Sequence, residues 1–162
     1  MEINEIRVGI ADLKAAQPPA KIVTIGLGSC VGIALFDKIN NVGGLAHIML
    51  PDSTQFTNKT NPAKFPDLAI PLLLQEMIKL GANKSFMFAK IGGGASMFNF
   101  SDSNLTMDIG NRNVKSVKEI LLEMSIPLRG EDTGGNKGRT MILDVATGKS
   151  YIKTIDQGIK EI

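Results

Sequence analysis

The stretch KIVTIGLGSCVGIALFDKINNVGGLAHIML, residues 21–50, decides how this chain folds. It contains three apolar runs, KIVTIGL, CVGIALF and VGGLAHIML, parted by a glycine-serine turn and an aspartate-asparagine turn. Valine and isoleucine suit the pleated surface of a sheet, so each run reads as a strand. No helix lies between them, which favours an α+β fold, a layered α/β sandwich of mostly antiparallel sheets, over a doubly wound parallel sheet. The same stretch holds the chain's only cysteine, Cys30, and its only histidine, His47.

Upstream, MEINEIRVGIADLKAA predicts one edge strand, ended by the two prolines of QPPA. Downstream, the polar run from Ser53 to Asn61 reads as a loop. PDLAIPLLLQEMIKLGAN then has apolar residues at helical spacing and Gly81 as a stop, and predicts a helix in spite of Pro71. KSFMFAKIGGGASMF reads as a buried strand entering a second glycine-rich loop. NVKSVKEILLEMSIP is a second amphipathic helix, closed by Pro127. ATGK between TMILDV and SYIKTI signals a hairpin. The expectation is two main helices among many strands, with residues 1–162 forming one domain and no repeat or linker dividing it.

With 43% apolar and 21% charged residues, the chain has the composition of a soluble globule. Its net charge of +2 arises from interspersed lysines and acids, without an arginine-rich stripe or a series of base-stacking aromatics, so no nucleic-acid partner is expected. The apolar runs are too short, or too interrupted by glycine and proline, for membrane insertion. A lone cysteine forms no internal disulfide, and one cysteine with one histidine does not complete a four-ligand zinc site. A reducing cytoplasm and no metal follow as expectations.

Register governs what Cys30 and His47 can do together. If Asp37 to Asn40 form a four-residue hairpin loop, residue 36 faces 41, 34 faces 43, and Cys30 faces His47 directly, with Cβ atoms about 4.5 to 5.5 Å apart. If the turn sits on Asn40 and Asn41, Cys30 faces Pro51 and the pair lies roughly 13 Å apart at ~3.3 Å per residue. In the first case an imidazolium would lower the thiol pKa and create a thiolate able to attack an acyl carbon, with the same ring later protonating the leaving amine. The turn before Cys30, with Gly26, Gly28 and Ser29, offers unobstructed backbone N–H groups to an oxyanion. Thr24, Asp37 and Asp52 are the nearby candidates to orient the histidine. The plainer alternative is a cysteine that only fills space, since free cysteine is among the most buried residue types.

The segments TIGLGSC, GGLAHIMLPDS, IGGGASMF, IGNRN and DTGGNKGRTMILDVATGK, spread from Lys21 to Lys149, closely resemble the CheD family of chemoreceptor glutamine deamidases. The resemblance implies hydrolysis of glutamine side-chain amides on the cytoplasmic helices of methyl-accepting chemoreceptors. It places the family's catalytic cysteine on Cys30, its histidine on His47 and its threonine on Thr24, with no cofactor. It also implies an α/β sandwich similar to the catalytic domain of cytotoxic necrotizing factor, and CheC, a phosphatase of phospho-CheY, as a partner. An alternative role is therefore a binding module that stimulates CheC, with or without catalysis. Phe98 and Phe100 are candidate anchors for a receptor or CheC helix. IGGGAS lacks the lysine of a phosphate-binding loop and is read as a substrate-side loop.

Overall fold

The structure, a computed structural model, describes residues 3–57, 60–96 and 108–162. Among these are ten strands: β1 (Asn4–Val8), β2 (Asp12–Ala16), β3 (Ala20–Leu27), β4 (Val31–Asp37), β5 (Val42–Ile48), β6 (Met87–Gly93), β7 (Leu128–Thr133), β8 (Arg139–Asp144), β9 (Lys149–Thr154) and β10 (Gly158–Glu161). Two α-helices accompany them, α1 (Pro66–Lys79) and α2 (Ile109–Glu123). The strands form two five-stranded sheets, ordered β1-β3-β8-β9-β10 and β2-β5-β4-β6-β7. Two neighbouring pairs, β1 with β3 and β6 with β7, run parallel, and the remaining pairs are antiparallel.

Side-chain alternation along β4 sets the layers. Val31, Ile33 and Leu35 pack against Ile70, Leu73 and Met77 of α1 and Val117 and Leu121 of α2. Ala34 and Phe36 point the other way, into a second cluster with Leu45, Ile22, Met141, Leu143 and Ile152. The second sheet therefore lies between the helices and the first sheet. Burial on both faces explains why β4 and β5 read as continuous apolar runs rather than alternating ones. Each fully buried Leu or Ile here contributes roughly 1.5–3 kcal/mol.

The helix with Pro71 forms as expected, and Gly81, at φ +98°, follows its last turn. The β8–β9 hairpin also forms, closed by the Asp144–Lys149 pair. Other expectations require correction. The N-terminal segment supplies two edge strands, one to each sheet, instead of one. Helix α2 begins at Ile109, four residues before Asn113, because the Asp108 carboxylate accepts from the Asn111 backbone N–H and side-chain amide. DTGGNKGR carries the chain from β7 in one sheet to β8 in the other.

The β4–β5 register matches neither proposed alternative. Asp37 faces Val42, Phe36 faces Gly43 and Gly32 faces His47. The loop is Lys38 to Asn41, one residue later than expected. Asp37 stays in the strand because its buried carboxylate accepts from the N–H groups of Ile39, Asn40 and Asn83 and from the Asn40 amide. Asn41 takes the left-handed position at φ +54°. No described helix is long and apolar enough to cross a membrane.

Candidate active site

Alternation along β5 directs His47 and Leu45 toward the first sheet, whereas Ala46 and Ile48 face the helices. The position opposite His47 is Gly32, and the position beyond it on β6 is Gly92. A Cβ on Gly32 would stand 2.9 Å from Met141 Sδ, and one on Gly92 would stand 2.5 Å from Ile152 Cδ1. Two glycines beside the histidine thus let side chains of the first sheet sink into the second. Thr24 of β3 meets the ring there.

The Thr24 hydroxyl lies 2.7 Å from the Val8 carbonyl and 2.7 Å from His47 Nδ1. A carbonyl only accepts, so the hydroxyl proton goes to Val8 and Thr24 Oγ1 accepts from the ring. Nδ1 therefore carries the hydrogen and Nε2 holds the free lone pair. His47 is fully buried, and Nε2 has no hydrogen-bond partner among the described residues. Burial disfavours the imidazolium and pushes the His47 pKa down to about 4.

Cys30 immediately precedes β4 and packs against the inter-sheet cluster, the side on which His47 lies. It does not face His47 directly, as the first sequence register required. With Gly32 opposite His47, Cys30 and His47 are diagonal neighbours, a relationship that in a regular ladder puts Cβ atoms about 7–8 Å apart or less, within reach of an imidazole. The thiol is half-buried, and burial pushes its pKa above the ordinary value, opposed in part by the Cys30 backbone N–H. Burial thus favours the thiol and the neutral imidazole over the thiolate and imidazolium expected from the sequence.

The loop carrying Cys30 is braced from behind. Gly28, Ser29 and Cys30 offer their carbonyls to the Ala95 N–H at 2.8 Å, Asn113 Nδ2 at 2.9 Å and the Gly94 N–H at 2.8 Å, respectively. Gly93 adopts φ +112°, and a Cβ there would lie 2.2 Å from the Cys30 carbonyl oxygen. Arg139, almost wholly buried, donates to the Gly93 and Gly134 carbonyls and pairs with Asp132. IGGGAS therefore supports the cysteine loop. Gly26 sits at φ +81°, with its carbonyl accepting from the Gly28 N–H.

Of the candidate orienting groups, Thr24 contacts the ring. Asp37 caps the turn at the far end of β4, and Asp52 accepts from the Thr54 N–H and hydroxyl. Phe98 and Phe100 lie outside the described residues. Among the described residues, no three His, Cys, Asp or Glu side chains gather as a metal would need. Sequence reading gave no role to Asn113 or Arg139. The signal for Asn113 was its place on the buried stripe Gly110, Asn113, Val117, Leu121 of α2, where a polar side chain demands partners.

Residues 49–154 match the family model described as CheD chemotactic sensory transduction. The chain belongs to the CheD family. A protein of Clostridium botulinum strain Hall, named probable chemoreceptor glutamine deamidase CheD, is 67% identical over all of both chains. The matched family segment contains Gly92 to Ala95, Asn113 and Arg139, while the full-length relative also spans Thr24, Cys30 and His47. Among solved structures, Neisseria meningitidis protein NMB0706 is similar at a TM-score of 0.50 and 9% identity, over 83% of this chain and 65% of that one, a likeness of fold alone. The C-terminal domain of CNFy from Yersinia pseudotuberculosis gives a TM-score of 0.44 at 12% identity, over 98% of this chain and 60% of that chain.

Proposed function

We propose that the chain is a cytoplasmic chemotaxis enzyme, a single CheD domain that converts glutamine side chains of methyl-accepting chemoreceptors to glutamate, with Cys30 as nucleophile and His47 as general base and acid. The observation that carries this reading is the Val8–Thr24–His47 chain of hydrogen bonds, which leaves Nε2 unprotonated, and without a partner among the described residues, on the side of the sheet where Cys30 packs. Family membership and the deamidase name of the 67% identical relative support the substrate class.

As Cys30 Sγ attacks the amide carbon, its proton passes to His47 Nε2, and the carbonyl oxygen becomes an oxyanion. The Gly28 N–H is spent on the Gly26 carbonyl, which leaves the N–H groups of Ser29 and Cys30 in this turn as the candidate donors to that oxygen. The imidazolium returns its proton to the nitrogen as the C–N bond breaks and ammonia leaves. Water, deprotonated by His47, then cleaves the thioester, giving glutamate and restoring the thiol. Thr24 keeps the ring in one tautomer. Its bond to the ring, neutral and not charge-assisted, is weaker than a carboxylate's would be.

A groove of about 420 Å³ between the 51–55 turn and α2, lined by Asp52, Gln55, Arg112, Lys115 and Glu119, offers charges of both signs to a receptor helix. The family resemblance adds CheC as a second partner. Ammonia release from a receptor cytoplasmic fragment tests the enzyme reading. Cys30→Ala should abolish release while retaining any CheC binding, because docking needs no nucleophile; undiminished release by that variant would remove Cys30 from the reaction.

A further inference from the structure

Asn113 is fully buried, and both protons of its side-chain amide are committed. Nδ2 donates to the Ser29 carbonyl at 2.9 Å and to the Met49 carbonyl at 3.0 Å. Two acceptors facing one end of the amide fix which atom is nitrogen. Ser29 immediately precedes Cys30, and Met49 lies two residues after His47. A single side chain therefore ties the nucleophile's loop to the base's strand. The helix that carries it is itself seated on the supporting loop: a Cβ on Gly110 would stand 2.4 Å from the Ala95 oxygen and 2.6 Å from the Gly94 oxygen.

A trans peptide holds its C=O and N–H in opposite directions. Turning the Ser29 carbonyl inward to Asn113 thus turns the Cys30 N–H outward. With the Gly28 and Cys30 carbonyls also held, by Ala95 and Gly94, the peptide has little freedom to flip. The Cys30 backbone N–H itself favours the thiolate, against the burial that raises the thiol's pKa.

We propose that Asn113 is a positioning residue for deamidation: by holding the Ser29 and Met49 carbonyls together, it aims the Cys30 N–H at the developing oxyanion and sets the spacing between Cys30 and His47. This inference rests on the Cys30 and His47 reading given above. A donor aimed at charge that appears only in the transition state acts on kcat and not on substrate binding.

The test is steady-state ammonia release from a receptor cytoplasmic fragment by wild type, Asn113→Asp, Leu121→Ala and Cys30→Ala, with the folded fraction of each measured by circular dichroism. Asn113→Asp conserves shape but sets carboxylate oxygens against two carbonyls. It should lower kcat at least about tenfold and leave KM within about twofold. Leu121→Ala loosens the same helix from the core without touching either loop, and its kcat per folded molecule should stay at the wild-type value. Where Asn113→Asp does not fold, Asn113→Ser, which keeps one donor, must show the same split between kcat and KM. Wild-type kcat in either Asn113 variant, or an equal loss in Leu121→Ala, overturns the inference alone. Wild-type release by Cys30→Ala overturns it together with the nucleophile assignment.

Discussion

Thr24 and His47 belong to different sheets, and the 2.7 Å contact between Oγ1 and Nδ1 joins them across the sandwich. Because the hydroxyl's proton is given to Val8, this bond selects the imidazole tautomer with Nε2 as its basic atom. A structural element of the first sheet thereby determines the chemistry of a residue in the second. Thr24→Val should lower kcat roughly 10- to 100-fold by releasing the ring from that tautomer, and cost about 1–3 kcal/mol of stability by orphaning two buried polar groups. Thr24→Ser should restore most of both. Nitrogen-15 NMR of the imidazole checks the cause directly, with Nδ1 protonated in wild type and a tautomer mixture in the valine variant.

Burial of His47 has a signed consequence for pH. The folded ring stays neutral down to about 4, whereas an unfolded histidine takes up a proton near 6.5. Below that value the unfolded state binds more protons, so the stability present above pH 6.5 is lost as pH falls toward 4, by up to about 3 kcal/mol. His47→Gln should flatten this part of the curve in urea titrations from pH 7 to 4. The acid limb of kcat/KM in the wild type should likewise fall near pH 4 instead of 6.5.

A half-buried thiol with a raised pKa reacts slowly at neutral pH, because the thiolate is the reacting form. Alkylation of Cys30 in the native protein should therefore climb with pH through a midpoint above about 8.5, the value of a free thiol, and shift back toward it in denaturant. Full-rate native alkylation at pH 6 would mean that a preformed ion pair exists.

Gly93 and Gly134 separate two kinds of glycine requirement. Both have positive φ, but a Cβ on Gly93 would strike the Cys30 carbonyl, while one on Gly134 would meet none of the described residues within 4 Å. Gly134→Ala should cost only the backbone strain, about 1–2 kcal/mol. Gly93→Ala should cost more than about 3 kcal/mol or displace the cysteine loop, since backbone atoms must also move. Urea denaturation of both variants measures the difference.

Much of this was readable from residue order. The three apolar runs of residues 21–50 became β3, β4 and β5, and both helices appeared, α2 starting four residues earlier than its periodicity indicated. The register did not follow, because a DKINN turn can close at more than one position and the choice fell to the buried Asp37 carboxylate and the left-handed Asn41. The Thr24–His47 bond crosses between sheets, and a strand's own sequence says nothing of what packs on its face. Resemblance to the family singled out Thr24, which the spacing alone left equal with Asp37 and Asp52. The braces at Gly93, Asn113 and Arg139 come from segments more than sixty residues beyond Cys30, so local pattern gave no hint that they converge on it.

Peptide mass spectrometry of a chemoreceptor cytoplasmic fragment incubated with this protein tests the central claim most directly. Wild type should convert particular glutamines to glutamates, and neither Cys30→Ala nor His47→Gln should do so at a comparable rate. Conversion by the Cys30→Ala variant as fast as by wild type, or none by a folded wild-type protein on receptor fragments, would contradict it.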